Sequence, residues 1–231
     1  MTSGPRPVVA ILLAAGSGTR MGGDRPKAFL VVEGRALLTI SAEAACASGL
    51  ITSLVVAVPA GWEGRAAALV PSGSAVVVAG GETRQESVRL ALEAVPEEAE
   101  VVVVHDAARA LATPGLFDAV VGALHEQVDG AVPVVAVPDT VKRTAGALVA
   151  ETVTREDLVL AQTPQAFLRA PLVEAHRRAA TAGLRFTDDA AVVEWAGGTV
   201  ATVEGEPENF KVTTREDLDR ADFVLRRRSD G

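Results

Sequence analysis

Three groups of residues carry side chains able to act on a polyanion. The first is Ala14-Ala15-Gly16-Ser17-Gly18-Thr19-Arg20, with Pro26-Lys27 shortly beyond. Small residues let backbone N–H groups approach phosphate oxygens, and Arg20 and Lys27 add fixed positive charge to the same pocket. Such a turn can hold a triphosphate and offset charge as a phosphorus is attacked. The second group is Gly80-Gly81-Glu82-Thr83-Arg84-Gln85-Glu86-Ser87. Its turn N–H groups and the Ser87 hydroxyl can face a base or ribose. A tight turn with an N-cap explains the glycines and Thr83 equally well, but not Arg84. The third is Val101-Val102-Val103-Val104-His105-Asp106-Ala107-Ala108-Arg109. Asp106, a carboxylate ending an apolar run, suits Mg²⁺ bridging phosphates, and Arg109 can fork onto a phosphate. His105 reads as a hydrogen-bonded structural residue, since an anionic nucleophile needs no general base. His125 and His176 are expected in helices, with no partner visible in the sequence.

Phosphate loops differ in spacing, and the spacing discriminates here. A P-loop requires GxxxxGK[ST], and no Lys-Ser or Lys-Thr occurs in the chain. A dinucleotide turn requires GxGxxG and a ribose-binding acid after the next strand. The third glycine comes one residue late (Gly16, Gly18, Gly22), and the next strand ends Val58-Pro59-Ala60-Gly61 without a carboxylate. A dehydrogenase is therefore disfavoured. Ala-Ala-Gly-x-Gly-x-Arg-Met followed by Pro-Lys resembles the signature loop of the sugar-phosphate nucleotidyltransferases.

The elements that must position these groups are legible as runs. Continuous apolar segments at Val8–Leu13, Ser53–Val58, Ala75–Ala79, Glu100–His105, Gly130–Val137 and Thr199–Val203 predict strands covered on both faces. Thr83-x-x-Glu86 is a capping box opening a helix, and Thr113-Pro114 starts another. Pro171 to Ala182, closed by Gly183, is a third, and a last helix starts at Thr213 or Thr214. Asp188 and Asp189 read as the cap and first turn of one more. Strand–helix alternation through residue 137 predicts an α/β, doubly wound, mostly parallel sheet. Ligands in such sheets sit beyond the strands' carboxyl ends. Residues 138 to 155 interrupt the alternation and predict a protruding β-hairpin arm on a single domain spanning 1–231. An extended hairpin is poorly stable alone, so a partner subunit is expected to cover it.

Composition narrows the class further. The net charge of −8 argues against a nucleic-acid surface. No apolar run reaches the length of a membrane span, and the run at the start is too strand-like for a signal peptide. The single cysteine, Cys46, rules out a disulfide framework and suits a reducing cytoplasm; it is expected as a small core residue. Lys27, Lys142 and Lys211 are the only lysines among 22 basic residues, which draws attention to them as sites wanting a compact ammonium.

Taken in order, further motifs join these. They are Gly-Gly-x-x-Arg-x-x-Ser-Val, His-Asp-Ala-Ala-Arg, Pro-x-x-Asp-Thr-x-Lys, Thr-Pro-Gln-x-Phe (Thr163 to Phe167), Thr-Asp-Asp-Ala (Thr187 to Ala190) and Asn-x-Lys-Val-Thr (Asn209 to Thr213). Together with the phosphate loop they resemble the 2-C-methyl-D-erythritol 4-phosphate cytidylyltransferase family over about residues 8 to 225. The resemblance implies a Rossmann-like nucleotidyltransferase fold and the use of CTP with Mg²⁺. Arg20 and Lys27 would stabilise the transition state. Ala14, Ala15, Gly16, Gly18, Gly81, Glu82, Arg84 and Ser87 would bind the nucleotide. Asp106 and Arg109 would face the metal and the sugar-alcohol phosphate, and Arg155 and Lys211 would position the attacking phosphate. Thr140 and Arg155, at the two ends of the arm, would complete a neighbouring subunit's site in a homodimer. Two positions depart from the pattern: Ala28 stands where Gln is usual and Ala110 where Pro is usual. A ribitol 5-phosphate cytidylyltransferase and a non-catalytic nucleotide sensor are the alternatives.

Overall fold

A computed structural model describes residues 7–16, 25–71, 73 and 75–229. The chain opens with β1 (Val8–Leu13), a 3-10 turn at Lys27–Phe29, and a two-stranded ribbon of β2 (Val31–Val32) and β3 (Arg35–Ala36). Helix α1 (Leu37–Ala47), β4 (Ile51–Val58), α2 (Glu63–Ala67), β5 (Ala75–Ala79), α3 (Arg84–Glu93) and β6 (Val101–Asp106) follow. Next come α4 (Pro114–Gly122), β7 (Gly130–Ala136) and the hairpin of β8 (Val141–Ala145) and β9 (Leu148–Val153). The chain ends with β10 (Val159–Ala161), β11 (Gln165–Leu168), α5 (Arg169–Thr181), α6 (Asp189–Trp195), β12 (Val200–Glu204) and α7 (Arg215–Ser229).

The main sheet runs β10-β7-β11-β6-β1-β4-β5, with β12 paired to β7. Pairs β6-β1, β1-β4, β4-β5 and β7-β12 are parallel. Strands β10 and β11 are antiparallel to their neighbours and share one edge of β7. The sheet is therefore mostly parallel, as its Val-rich runs predict. The antiparallel pair was not expected: runs of three and four residues are too short for the apolar-run criterion.

Alternate residues of β1 and β6 feed two cores. Val8, Ala10, Leu12, Val101 and Val103 pack with Leu38, Leu116 and Phe117 of α1 and α4. Val9, Ile11, Val102 and Val104 pack with Val88, Leu172 and Val193 of α3, α5 and α6. Burying such side chains contributes roughly 1.5–3 kcal/mol each, before the entropy of ordering them. Helix α7 closes a third cluster, its Ala221, Val224 and Leu225 meeting Leu37, Leu111 and Val212.

Several local expectations need correction. Cys46 is exposed on α1 rather than in the core, because its neighbours Ala42 and Ala45 occupy the buried face. His125 lies beyond α4, in an isolated bridge with Val128. His176 is in a helix, but it has a partner: its Nε2 lies 3.0 Å from Asp189 Oδ1. Asp188 does cap α6, accepting from the Ala191 N–H at 3.0 Å.

Candidate active site at the carboxyl ends of the central strands

Parallel register brings the ends of β6, β1, β4 and β5 side by side. Leu13 is opposite both Asp106 and Ala57, and Val58 is opposite Ala79. The pairing continues into the loops: Ala14 donates to Ala57 O at 2.8 Å, Ala107 to Leu13 O at 3.1 Å, and Gly80 to Val58 O at 2.7 Å. Beyond these ends opens a cavity of about 380 Å³. It is lined by Ala14, Ala15, Gly16, Lys27, Gly81, Glu82, Arg84, Ser87, Asp106 and Lys211, among others. Residues from three separate sequence groups thus meet in one place. Gly18 and Arg20, which the sequence assigns to the same loop, lie outside the described residues.

The second loop is held by its own side chains. Thr83 Oγ1 accepts from the Glu86 N–H at 3.1 Å, and Glu86 Oε2 accepts from the Glu82 N–H at 2.9 Å. The capping box therefore reaches one residue further back than its usual form. Ser87 Oγ accepts from the Gly81 N–H at 3.1 Å and donates to Thr83 O at 2.9 Å. Its hydroxyl shapes the loop as well as lining the cavity. A Cβ on Gly80 would lie 2.6 Å from Ala15 Cβ and 2.9 Å from Ser87 Oγ. Only glycine lets the two loops approach this closely.

Asp106 is the charged centre. Its Oδ1 accepts from Arg84 Nε at 3.0 Å, and its Oδ2 from Lys211 Nζ at 2.6 Å. Burial alone would raise its pKa, but the flanking Arg84 and Lys211 cations win and hold the carboxyl well below the usual range. Burial works against the charge of Arg84 as well; Asp189 and Asp106 outweigh it and keep the guanidinium's pKa above its ordinary value. Arg84 Nη1 meets Asp189 Oδ2 at 2.8 Å. Lys211 is delivered by a segment clamped to the loop after β6, in which Val212 donates to Ala108 O at 2.8 Å. In the same segment Asn209 Nδ2 donates to Thr163 O at 2.9 Å.

His105 is fully buried beneath this centre. Thr163 Oγ1 accepts from the Asp106 N–H at 3.0 Å and lies 3.0 Å from His105 Nδ1. Burial is the main cause pushing the imidazole pKa down to about 4. A neutral ring without access to the cavity supports the structural reading.

Arg109, Thr140 and Arg155 are not among the described residues lining the cavity. Arg109 Nη1 donates to Asn209 O at 2.9 Å and Nη2 to Ala161 O at 3.3 Å. Burial lowers its pKa, with Asp106 opposing. Thr140 is exposed at the start of the arm, and Arg155, at its end, donates to Pro138 O. Reading the sequence missed the roles of Thr163, His176 and Asp189. Thr163 and Asp189 sit in visible motifs and His176 in none, and side-chain pairing across 13 to 58 residues leaves no local spacing signal. Among the described residues no three His, Cys, Asp or Glu side chains gather into a cage for a metal ion.

A parallel sheet with this loop chemistry at its carboxyl ends is the Rossmann-like architecture of the nucleotidyltransferases. Comparison with known proteins makes the assignment narrower. Residues 8–227 match the family described as IspD, 2-C-methyl-D-erythritol 4-phosphate cytidylyltransferase, and the chain belongs to that family. A protein of that name from Streptomyces coelicolor is 41% identical, the alignment covering 97% of this chain and 87% of the relative. A Bifunctional enzyme IspD/IspF from Rhodopseudomonas palustris is 43% identical over 97% of this chain, but this chain spans only 57% of its length. The crystal structure of the Thermus thermophilus 2-C-methyl-D-erythritol 4-phosphate cytidylyltransferase superposes with a TM-score of 0.79 at 40% identity, covering 94% of this chain and 98% of that one. The Anaerococcus prevotii 4-diphosphocytidyl-2C-methyl-D-erythritol synthase reaches 0.85 at 28% identity, covering 96% and 97%.

Proposed function

We propose that this chain transfers a cytidylyl group from CTP to 2-C-methyl-D-erythritol 4-phosphate, in the supply of isoprenoid precursors. An oxygen of the acceptor's phosphate attacks the α-phosphorus of CTP in line. The bond to the bridging oxygen breaks, and pyrophosphate leaves with the electron pair. The observation that carries this reading is the convergence of Lys27, Lys211, Arg84 and Asp106 on one strand-end cavity, in a chain of this family. The nucleophile arrives as an anion, so the work is orientation and charge stabilisation rather than proton abstraction.

Lys27 and Arg20 offset charge developing on the non-bridging oxygens and the leaving group. Ala14, Ala15, Gly16, Gly18, Gly81, Glu82, Arg84 and Ser87 form the nucleotide cradle. Lys211, Arg109 and Asp106 set the acceptor side. Mg²⁺ takes oxygen ligands and relies on substrate phosphates and water for most of its shell, so one buried carboxylate suffices. Asp106 fits: each oxygen holds one cation and keeps a second lone pair. When bound there, the ion neutralises phosphate charge.

The arm supports a homodimer. None of its strand residues is buried, and Leu148 and Val149 are 76% and 62% exposed. A second subunit covering this face would carry Thr140 and Arg155 to its own partner's acceptor site. No helix among the described residues is long and apolar enough to cross a membrane, and a cytoplasmic reaction suits the lone cysteine.

The test is pyrophosphate release with CTP, Mg²⁺ and either methylerythritol 4-phosphate or ribitol 5-phosphate. Turnover with the first acceptor is expected. Turnover only with the second would reassign the acceptor, and CTP binding without turnover would favour a sensor.

A further inference from the structure

The transfer reaction as described leaves one buried carboxylate unused. Asp189 has no exposed surface. Its Oδ1 lies 3.0 Å from His176 Nε2, and its Oδ2 lies 2.8 Å from Arg84 Nη1. Building the helix does not require this group. Asp188 already caps α6, and Gln165 Oε1 accepts from the Ala190 N–H at 3.2 Å. Burying a carboxylate is costly unless something compensates it. Here the compensation is the guanidinium that lines the cavity.

Arg84 is the first residue of α3, where the positive end of the helix dipole disfavours a cation. Two anions hold it there, Asp106 on Nε and Asp189 on Nη1. The five side chains Lys211, Asp106, Arg84, Asp189 and His176 therefore form one alternating chain. Its contacts are 2.6, 3.0, 2.8 and 3.0 Å long, and it runs from the cavity to the interior of α5. His176 is buried on α5. With a carboxylate on Nε2, that nitrogen carries the proton and donates it to the hydrogen bond.

We infer that Asp189, held by His176, is a positioning residue of the transfer reaction. It fixes the Arg84 guanidinium and, through it, the Asp106 carboxylate that sets the place of the Lys211 ammonium. The inference rests on the proposed function. Without the Asp189 charge, Arg84 leans on Asp106 alone and competes with Lys211 for it. The lysine then loses its fixed place at the acceptor side. A displacement of this kind, remote from the reacting atoms, lowers the rate of the chemical step more than it weakens substrate binding.

The experiment uses the full chain with CTP, Mg²⁺ and methylerythritol 4-phosphate, comparing the parent with Asp189→Asn, Arg84→Gln and the double variant. The expected result is a cooperative melt for Asp189→Asn and a kcat about 10- to 100-fold lower, with a smaller rise in the KM for CTP because Arg84 also lines the nucleotide cradle. In the double variant, Asp189→Asn adds less than about twofold to the loss from Arg84→Gln, because it acts through that residue. Multiplicative losses, or parent-like kcat in a folded Asp189→Asn protein, overturn the inference. Should Asp189→Asn not fold, His176→Gln and His176→Leu decide. Gln keeps a donor toward Asp189 and retains most of the parent kcat, whereas Leu loses about fivefold or more. Equal kcat in the two overturns the inference. A parent chain silent with this acceptor overturns the functional reading and this inference together. A turning-over parent with an unaffected Asp189→Asn overturns this inference alone.

Discussion

The strand-end cavity and the hairpin arm solve opposite problems. At the cavity, charges are drawn out of water and matched: Asp106 lies between Arg84 and Lys211, and Arg84 lies between Asp106 and Asp189. The loops around it are closed by their own hydrogen bonds, down to Ser87 holding Gly81. The arm keeps its polar pairs in solvent, with Lys142 on Thr152 and Arg143 on Glu151, and leaves Leu148 and Val149 bare. Exposed pairs of this sort contribute little. The contrast teaches that, among the described residues, the cavity's charges find their partners within one chain, whereas the arm's apolar tip is left uncovered by it. Two residues proposed for the acceptor, Thr140 and Arg155, flank the base of that arm.

The sharpest way to break this contrast is at the cavity. Lys27→Ala should lower kcat about 10²–10³-fold, by analogy with losing one preorganised charge-stabilising donor, while the melt stays cooperative. Near-parent pyrophosphate release would sink the proposed role. A second effect also belongs to the cavity half, in its buried floor. His105 has a folded pKa of about 4 against an unfolded value of 6.5. Between those values the unfolded chain binds the extra proton, so stability is full above about pH 6.5 and falls as pH drops toward 4. The loss attributable to this ring is about 3 kcal/mol. Urea titrations of the metal-free protein across that window should show His105→Asn with a flatter profile than the parent.

At the arm, effects should divide between assembly and folding. Leu148→Asp with Val149→Asp is expected to shift sedimentation from dimer to monomer and to lower turnover about tenfold, as expected for misplaced substrate-orienting groups. A stable dimer with parent turnover would show that the arm's apolar tip does no work in assembly. The smallest effect is on the isolated fold. The same pair should change chain stability by no more than about 0.5 kcal/mol per substitution, measured in urea at a concentration where the parent is also monomeric.

How much was readable beforehand follows from the range of each interaction. The central strands were legible because a parallel sheet covered on both faces needs unbroken apolar runs such as Val101 to Val104. The Thr83 and Thr113 caps were legible because capping is local, and so was the hairpin at 138–155. Strands β10 and β11 were not, since they are defined by antiparallel pairing with distant strands rather than by their own composition. The cavity's membership was largely readable, with Lys27, Arg84, Asp106 and Lys211 all foreseen and all found lining it. Their pairing was not. Arg84 offers no sign in sequence that Asp189 will face it, and Cys46 looked apolar because the helix face it takes depends on packing partners. Arg109 was foreseen as a phosphate fork, yet two of its nitrogens already hold the Ala161 and Asn209 carbonyls in this chain.

The most direct measurement is ³¹P NMR of the full chain incubated with CTP, Mg²⁺ and methylerythritol 4-phosphate. The account predicts pyrophosphate appearing in step with a pair of coupled resonances from a new diphosphate ester, as the acceptor's monophosphate signal disappears. Nucleotide consumed to CMP or CDP while that monophosphate signal persists would contradict it.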